Sequence, residues 1–172
     1  AYNPITSIAL YDCITEKYFT YCFDPHKRIE SYEKDNEVVE FYETEYEMLN
    51  QFFQKYLEIR PTIISGWNSE FFDIPYLYNR AVRILGPELA NLLSPISQVI
   101  YSEYKKKHTI AGVSSLDYLQ LYRQFTFTMQ SSYRLDYIGE VEVGMKKVSY
   151  EGTLNDLYAV SYTHLTLPTN RC

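Results

Sequence analysis

The sequence predicts an α/β fold with a mixed central sheet flanked by helices, and three observations support this class. Strand-like runs of β-branched and aromatic residues lie near the start of the chain, at 5–11 and 17–23. Apolar stripes with helical spacing follow at 48–57 and 74–85, with the β-branched run Thr62-Ile63-Ile64 between them. Strands that alternate with helical segments are typical of α/β domains.

The composition indicates one domain, or part of one, with enough apolar residues to form a core. The chain has 172 residues, of which 46% are hydrophobic. Its formal net charge of −6 argues against a protein that binds nucleic acid mainly through a basic surface. The same charge is compatible with a nuclease, because a metal site needs carboxylates. No apolar run approaches membrane-spanning length.

The first elements are predicted to be a hairpin and then a helix. The runs at 5–11 and 17–23 are separated by a short polar stretch, which favours antiparallel pairing. A short strand is predicted at 38–42. Thr44 and Glu47 have the spacing of a capping box, so we expect a helix that begins after Thr44 and buries its apolar stripe.

The central stretch is 66–80, where the β-branched strand leads into an amphipathic helix. Gly66 is predicted to end the strand, and Asp73 can cap the helix with Pro75 in its first turn. Gly86 and the proline after it are predicted to end the helix. The Asp73 carboxylate is therefore expected just beyond a strand, where open α/β sheets place their sites. On spacing alone, an N-cap is the simpler interpretation of Asp73.

The second half of the chain contains one basic cluster and one further strand–helix junction. The cluster at 105–108 is either a solvated hairpin tip or a contact to DNA phosphates. Residues 112–119 are predicted to pass from a strand into a helix that continues to Phe127. Asp117, at this junction, is expected to cap the helix rather than to line a cleft.

A last helix is predicted at 133–141. Ser131 and Ser132 can cap its start, and Leu135 and Ile138 are expected to point inward.

Residues 68–77 carry the pattern Asn-x-x-x-Phe-Asp-x-Pro-Tyr-Leu, which resembles the second exonuclease motif of family B DNA polymerases. The flanking residues at 66–67 and 79–80 also match, and the likeness is strongest to the enzymes of T4-like bacteriophages. The segment at 112–122 resembles the family's sequence after that motif. The segment at 147–152 resembles the stretch that precedes its third motif.

The resemblance implies a ribonuclease H-like 3′→5′ exonuclease fold and a proofreading site that uses two Mg²⁺ or Mn²⁺ ions. It assigns Asp73 as a catalytic carboxylate and metal ligand, a role that is compatible with a cap. It also implies that Asn68 hydrogen-bonds the frayed 3′ strand. Phe72 is a candidate for contact with DNA by stacking on a base, and packing at the strand–helix joint is the alternative.

The exonuclease fold is expected to be incomplete. Residues 1–158 are assigned as a partial exonuclease domain without the family's first strand, which carries Asp-x-Glu, and without the third-motif helix. Residues 159–172 resemble a translated sequencing adapter and are assigned as a non-native tail. We therefore expect a gap beside the strand at 62–64 and little or no activity in the fragment by itself.

The main functional hypothesis is a fragment of the 3′→5′ proofreading exonuclease domain of a DNA-directed DNA polymerase. Its expected partners are single-stranded DNA 3′ ends, primer–template DNA, the polymerase domain of the same chain and a sliding clamp, with no membrane. The expected location is the cytoplasm of an infected bacterial host. The alternatives are a catalytically inactive domain that binds DNA or a replisome partner, and an exonuclease that is not fused to a polymerase.

Overall fold

A computed structural model describes residues 3–27 and 29–145. It divides the chain into two units, at 1–125 and 126–172. The described part of the second unit has one helix, so the strands below all belong to the first. The fold class is mixed α/β, as predicted. None of the described helices is long and apolar enough to cross a lipid bilayer.

Four strands form the largest sheet, in the order β1-β2-β4-β3. β1 (Ser7–Asp12) and β2 (Lys17–Phe23) form the predicted antiparallel hairpin, in a register that pairs Ser7 with Cys22. The predicted short strand is present as β4 (Glu37–Tyr42), which runs parallel to β2. β3 (Tyr32–Lys34) pairs with β4 along the other edge.

Helix α1 (Glu45–Ile59) confirms the capping prediction. The Thr44 hydroxyl oxygen accepts the backbone N–H of Glu47 at 3.2 Å, and the hydroxyl donates to the Glu47 carboxylate at 2.8 Å. Five apolar residues of the predicted stripe are buried and form much of the core: Met48, Leu49, Phe52, Phe53 and Tyr56. Because Met48 and Leu49 are fully buried, this helix anchors the unit.

The remaining strands form two separate pairs. β5 (Ile63–Gly66) runs parallel to β8 (Ser114–Asp117), and β6 (Val99–Ser102) forms an antiparallel hairpin with β7 (Lys107–Ile110). The described strands therefore divide among three sheets, where the sequence predicted one central sheet. β1 lies at an edge of the largest sheet, and β5 lies at an edge of its pair.

Helix α2 (Asp73–Leu85) follows β5 and ends at Gly86, as predicted. The short helix α3 (Pro87–Ala90) and a 3-10 turn at Asn91–Leu93 lead on to β6. An ion pair fixes α2 to α1: the Arg80 guanidinium donates to Glu45 at 2.7 and 2.6 Å. Glu45 also accepts the backbone N–H of Ile5 at 2.8 Å. This buried carboxylate therefore ties both helices to the segment that leads into β1.

Two predicted helix ends are wrong. Helix α4 (Tyr118–Phe125) stops before Phe127, whose side chain is fully exposed. The β-branched residues Thr126 and Thr128 flank that position and are weak helix formers.

Helix α5 (Leu135–Val143), in the second unit, begins later than predicted. Neither serine caps it. The Ser132 hydroxyl accepts the N–H of Arg134, the residue before the helix, and the Ser131 hydroxyl bonds the Tyr137 hydroxyl. Ile138 is buried, as predicted, but Leu135 is half exposed. The segments expected to precede the third motif and to form the tail lie outside the described residues.

Candidate functional site

The loop at 67–72 joins β5 to α2 and carries the candidate DNA-contacting residues. Asn68 adopts a left-handed conformation with φ 62°, and its carbonyl oxygen accepts the N–H of Phe72 at 3.0 Å. The loop folds back on the end of β5, where a Cβ on Gly66 would lie 3.0 Å from the Cβ of Ser69. Glycine at position 66 permits this close approach.

Asp73 is the first residue of α2, and its predicted role as the N-cap is wrong. Phe72 occupies the cap position, without a side-chain cap. No amide is left for such a cap to serve, since Pro75 has no N–H and the N–H of Tyr76 already donates to the Phe72 carbonyl at 3.0 Å. The Asp73 side chain is exposed at the helix N-terminus. The helix dipole favours a negative charge at this end.

The pKa of Asp73 lies above its ordinary value. Partial desolvation raises the pKa of its carboxyl, a hydrogen bond from its own backbone N–H opposes the rise, and the negative charge of Asp117 adds to it. Position 117 ends β8, directly across from Gly66 at the end of β5. The Asp117 carboxylate, at the end of β8, is therefore close enough for its charge to act on Asp73 at the start of α2.

Asp117 is almost completely buried, with 3% of its surface exposed. One carboxylate oxygen accepts the backbone N–H groups of Asn68 and Leu119, each at 3.0 Å, and the other accepts that of Glu70 at 3.1 Å. The bond to Leu119 caps α4, as the sequence predicted. The two bonds to the loop were not predicted. The parallel pairing of β5 with β8 places Asp117 beside the loop, and this pairing could have pointed to the two bonds.

Aromatic residues surround the loop. Phe72 is 63% exposed, and its ring stacks on that of Tyr76 with centroids 6.2 Å apart. Trp67 contacts the rings of Tyr118 and Tyr122 on α4, at 6.1 and 5.7 Å. Trp67 therefore packs at the joint between β5 and α2, whereas Phe72 exposes most of its surface to solvent.

The four residues of the basic cluster at 105–108 have different surroundings. Lys105 and Lys106 lie at the tip of the β6–β7 hairpin and are exposed, which confirms the predicted hairpin tip for these two residues. Lys107 turns toward the loop and donates to Glu70 at 2.5 Å. His108 is buried between the rings of Tyr78 and Tyr101, and burial lowers its pKa.

The described residues do not by themselves fit a divalent ion. Within 3–27 and 29–145, no group of three or more His, Cys, Asp or Glu side chains is placed to hold one. Both oxygens of Asp117 are already bonded to amides, so Asp73 is the carboxylate of this pair that is open to a ligand. Mg²⁺ binds weakly to one carboxylate because it loses its waters reluctantly.

Comparison with known proteins identifies the domain type. The family described as DNA polymerase family B, exonuclease domain, matches residues 6–138. The chain is 34% identical over 186 residues to the DNA-directed DNA polymerase of Escherichia phage RB69, covering 91% of this chain and 20% of that protein. It is 38% identical over 122 residues to the DNA-directed DNA polymerase of Enterobacteria phage T4, covering 67% and 14%.

A more distant similarity extends to a yeast protein. The chain is 26% identical over 112 residues to the catalytic subunit of DNA polymerase epsilon from Saccharomyces cerevisiae, covering 65% of this chain and 5% of that protein. The chain therefore spans about one fifth or less of the length of these relatives.

Proposed function

Because the chain belongs to the family of exonuclease domains of family B DNA polymerases, we propose that it contributes the 3′→5′ proofreading exonuclease of such a polymerase. Its substrate is then the unpaired 3′ end of a primer strand. The observation that carries the proposal is the exposed Asp73 carboxylate beyond the end of β5, directly after the turn that Asn68 starts. The Asn68 side-chain amide would hydrogen-bond the DNA strand, and the exposed Phe72 ring would stack on an unpaired base.

The proposed chemistry is hydrolysis of the terminal phosphodiester with two Mg²⁺ or Mn²⁺ ions, which supply an activated water and neutralise developing charge. Asp73 is proposed as one ligand of these ions and as a catalytic residue. Since the described residues do not complete such a site, further carboxylates have to come from other parts of the polypeptide. Residues 3–27 and 29–145 by themselves are therefore expected to bind these ions weakly and not to hydrolyse DNA.

Among the described residues, one edge of β1 and one edge of β5 have no strand beside them, and this supports a related proposal about the fold. In a ribonuclease H-like arrangement, one further strand lies between these edges and joins the separate sheets into one. Such a strand would bring its own side chains beside the end of β5, close to Asp73. This is where the additional carboxylates are needed.

The proposed setting follows from the phage relatives. The domain would receive single-stranded 3′ ends and primer–template DNA from a polymerase domain of the same chain, with a sliding clamp as a further partner. The reaction would take place in the cytoplasm of an infected bacterium.

The test is a polymerase polypeptide that contains this segment, with Asp73→Ala compared with Asp136→Ala. Both are acidic residues in the first turn of a helix, so the pair controls for loss of a charge at a helix start. Release of nucleotides from a mismatched 3′ end is measured with Mg²⁺ and with Mn²⁺. We expect Asp73→Ala to lower the rate roughly 100-fold or more, which is about 2.7 kcal/mol of transition-state stabilisation. Asp136→Ala should keep the rate of the unmodified polymerase. Unchanged digestion in Asp73→Ala would refute the role of Asp73.

A second function is favoured by the incomplete group of carboxylates. In that case the domain binds single-stranded DNA or a replisome partner without cleaving DNA. Polymerase that contains this segment would then retain mismatched 3′ ends at saturating Mg²⁺ or Mn²⁺, with or without Asp73. Rapid digestion by the unmodified polymerase excludes this alternative.

A further inference from the structure

We propose that Asp117 is a positioning residue of this site, and that its buried carboxylate sets the loop at 67–70 for binding the single-stranded 3′ end. The inference rests on the proposed function, since it concerns the same DNA-binding loop. Asp117 is placed to act through the loop backbone, and no contact of its own with DNA is required. It differs in this from Asp73, which is exposed.

The geometry of the three hydrogen bonds supports the role. The Asn68 and Glu70 amides both point at Asp117, from positions 49 and 47 residues away in the sequence. A third amide, that of Leu119, lies at the start of helix α4. One carboxylate therefore fixes the loop between β5 and α2 to the junction between β8 and α4. Movement of this loop would move the Asn68 side chain directly.

Asn68 needs such support because its backbone is in the left-handed region, with φ 62°. Residues other than glycine enter this region at an energetic cost, although asparagine tolerates it better than most. The Glu70 side chain fixes the same loop a second time, through its ion pair with Lys107. With Asp117 on the backbone and Lys107 on a side chain, the loop is fixed before DNA arrives. Fixing a loop in its binding conformation in advance strengthens binding.

The negative charge of Asp117 is essential to the arrangement. A carboxylate presents two acceptor oxygens to the three N–H groups, whereas an asparagine presents one oxygen and one NH₂ group. In Asp117→Asn, the oxygen can still accept the N–H groups of Asn68 and Leu119. The NH₂ group would then face the N–H of Glu70, and two donors repel each other. The substitution therefore preserves size and burial while releasing one side of the loop.

The experiment measures binding of a fluorescein-labelled oligothymidylate to the 172-residue chain by anisotropy, without divalent ions. Asp12→Asn is the matched control. Asp12 is also a buried aspartate at a strand end, where it accepts the N–H of Ile14 at 3.0 Å and the hydroxyl of Thr15 at 2.6 Å. It stabilises the turn between β1 and β2, in the four-stranded sheet. Both variants remove a buried charge from the last residue of a strand, so they separate loss of stability from loss of positioning.

We expect Asp117→Asn to weaken oligothymidylate binding about tenfold to a hundredfold, which is the effect of losing one charge-assisted hydrogen bond. Asp12→Asn should lower the unfolding midpoint and leave the Kd within about twofold. Asn68→Ala should weaken binding similarly. The double variant Asp117→Asn with Asn68→Ala should bind no more weakly than the weaker of the two single variants, because both changes remove the same contact.

Three results would overturn the inference. They are equal Kd values for Asp117→Asn and the unmodified chain, additive losses in the double variant, and an unmodified chain that does not bind the oligonucleotide. None of these depends on cleavage. The proposed exonuclease activity fails separately, if Asp73→Ala leaves digestion by the polymerase unchanged. In that event a loss of binding in Asp117→Asn would still establish the positioning role.

Discussion

Removing the cation from the buried ion pair between α1 and α2 should be strongly destabilising. Glu45 and Arg80 are each only 8% exposed, and two hydrogen bonds of 2.7 and 2.6 Å join them. Arg80→Met keeps an unbranched side chain of similar length. It leaves the Glu45 carboxylate buried without its counter-ion, although the N–H of Ile5 still donates to it.

The expected loss is about 3–5 kcal/mol, the usual cost of removing one partner from a buried ion pair. The double variant Glu45→Gln with Arg80→Met should recover much of this loss. Glutamine is neutral, so no charge remains buried, and its carbonyl oxygen can still accept the N–H of Ile5. The double variant should still lose about 1–2 kcal/mol of unfolding free energy, because the hydrogen bonds between the two side chains are gone.

Urea unfolding followed by circular dichroism measures these differences, and the fluorescence of Trp67, the one tryptophan in the sequence, provides a second probe. Lys106→Met is the matched control, because its ion pair with Glu103 is exposed. It should cost less than about 1 kcal/mol. If Arg80→Met were no more destabilising than Lys106→Met, the structural role assigned to this pair would be wrong.

Two further predictions concern single residues of the same unit. Burial lowers the pKa of His108 below its ordinary 6.5. The His108 imidazole therefore binds a proton more readily in the unfolded chain than in the folded one. Stability should therefore fall as the pH drops below about 6.5, and His108→Phe should lessen that fall in urea titrations at about pH 7 and pH 5. Thr44→Ala removes the N-cap of α1 and should cost about 1 kcal/mol at neutral pH, whereas Thr44→Ser should cost much less; equal losses would contradict the capping role.

The elements that sequence analysis predicted well are those specified by local patterns. The hairpin of β1 and β2 follows from two strand-like runs and a short polar turn, and α1 follows from its apolar stripe. Its start is marked by Thr44, whose hydroxyl bonds within three residues. Such contacts depend on neighbouring residues, so spacing alone reveals them.

The sequence was less informative where backbone bonding or the pairing of distant strands decides which groups a side chain contacts. Asp73 was expected to cap α2, but Pro75 has no N–H and the N–H of Tyr76 already donates to the Phe72 carbonyl, so the side chain has no cap to make. Asp117 was expected to serve only α4, but its second task depends on the pairing of β5 with β8. The sequence predicted a helix start at each of these two residues and could not supply the strand register that relates them.

The edge of β5 that faces away from β8 has a consequence for handling the protein. Among residues 3–27 and 29–145, the only strand hydrogen-bonded to β5 is β8, and Ile63 on β5 is 58% exposed. A border of this kind accepts any extended polypeptide that lies alongside it, including a second copy of the same chain. The net charge of −6 keeps copies apart in dilute, low-salt buffer, and added salt screens that repulsion. Concentrated, salty samples should therefore be the first to form oligomers.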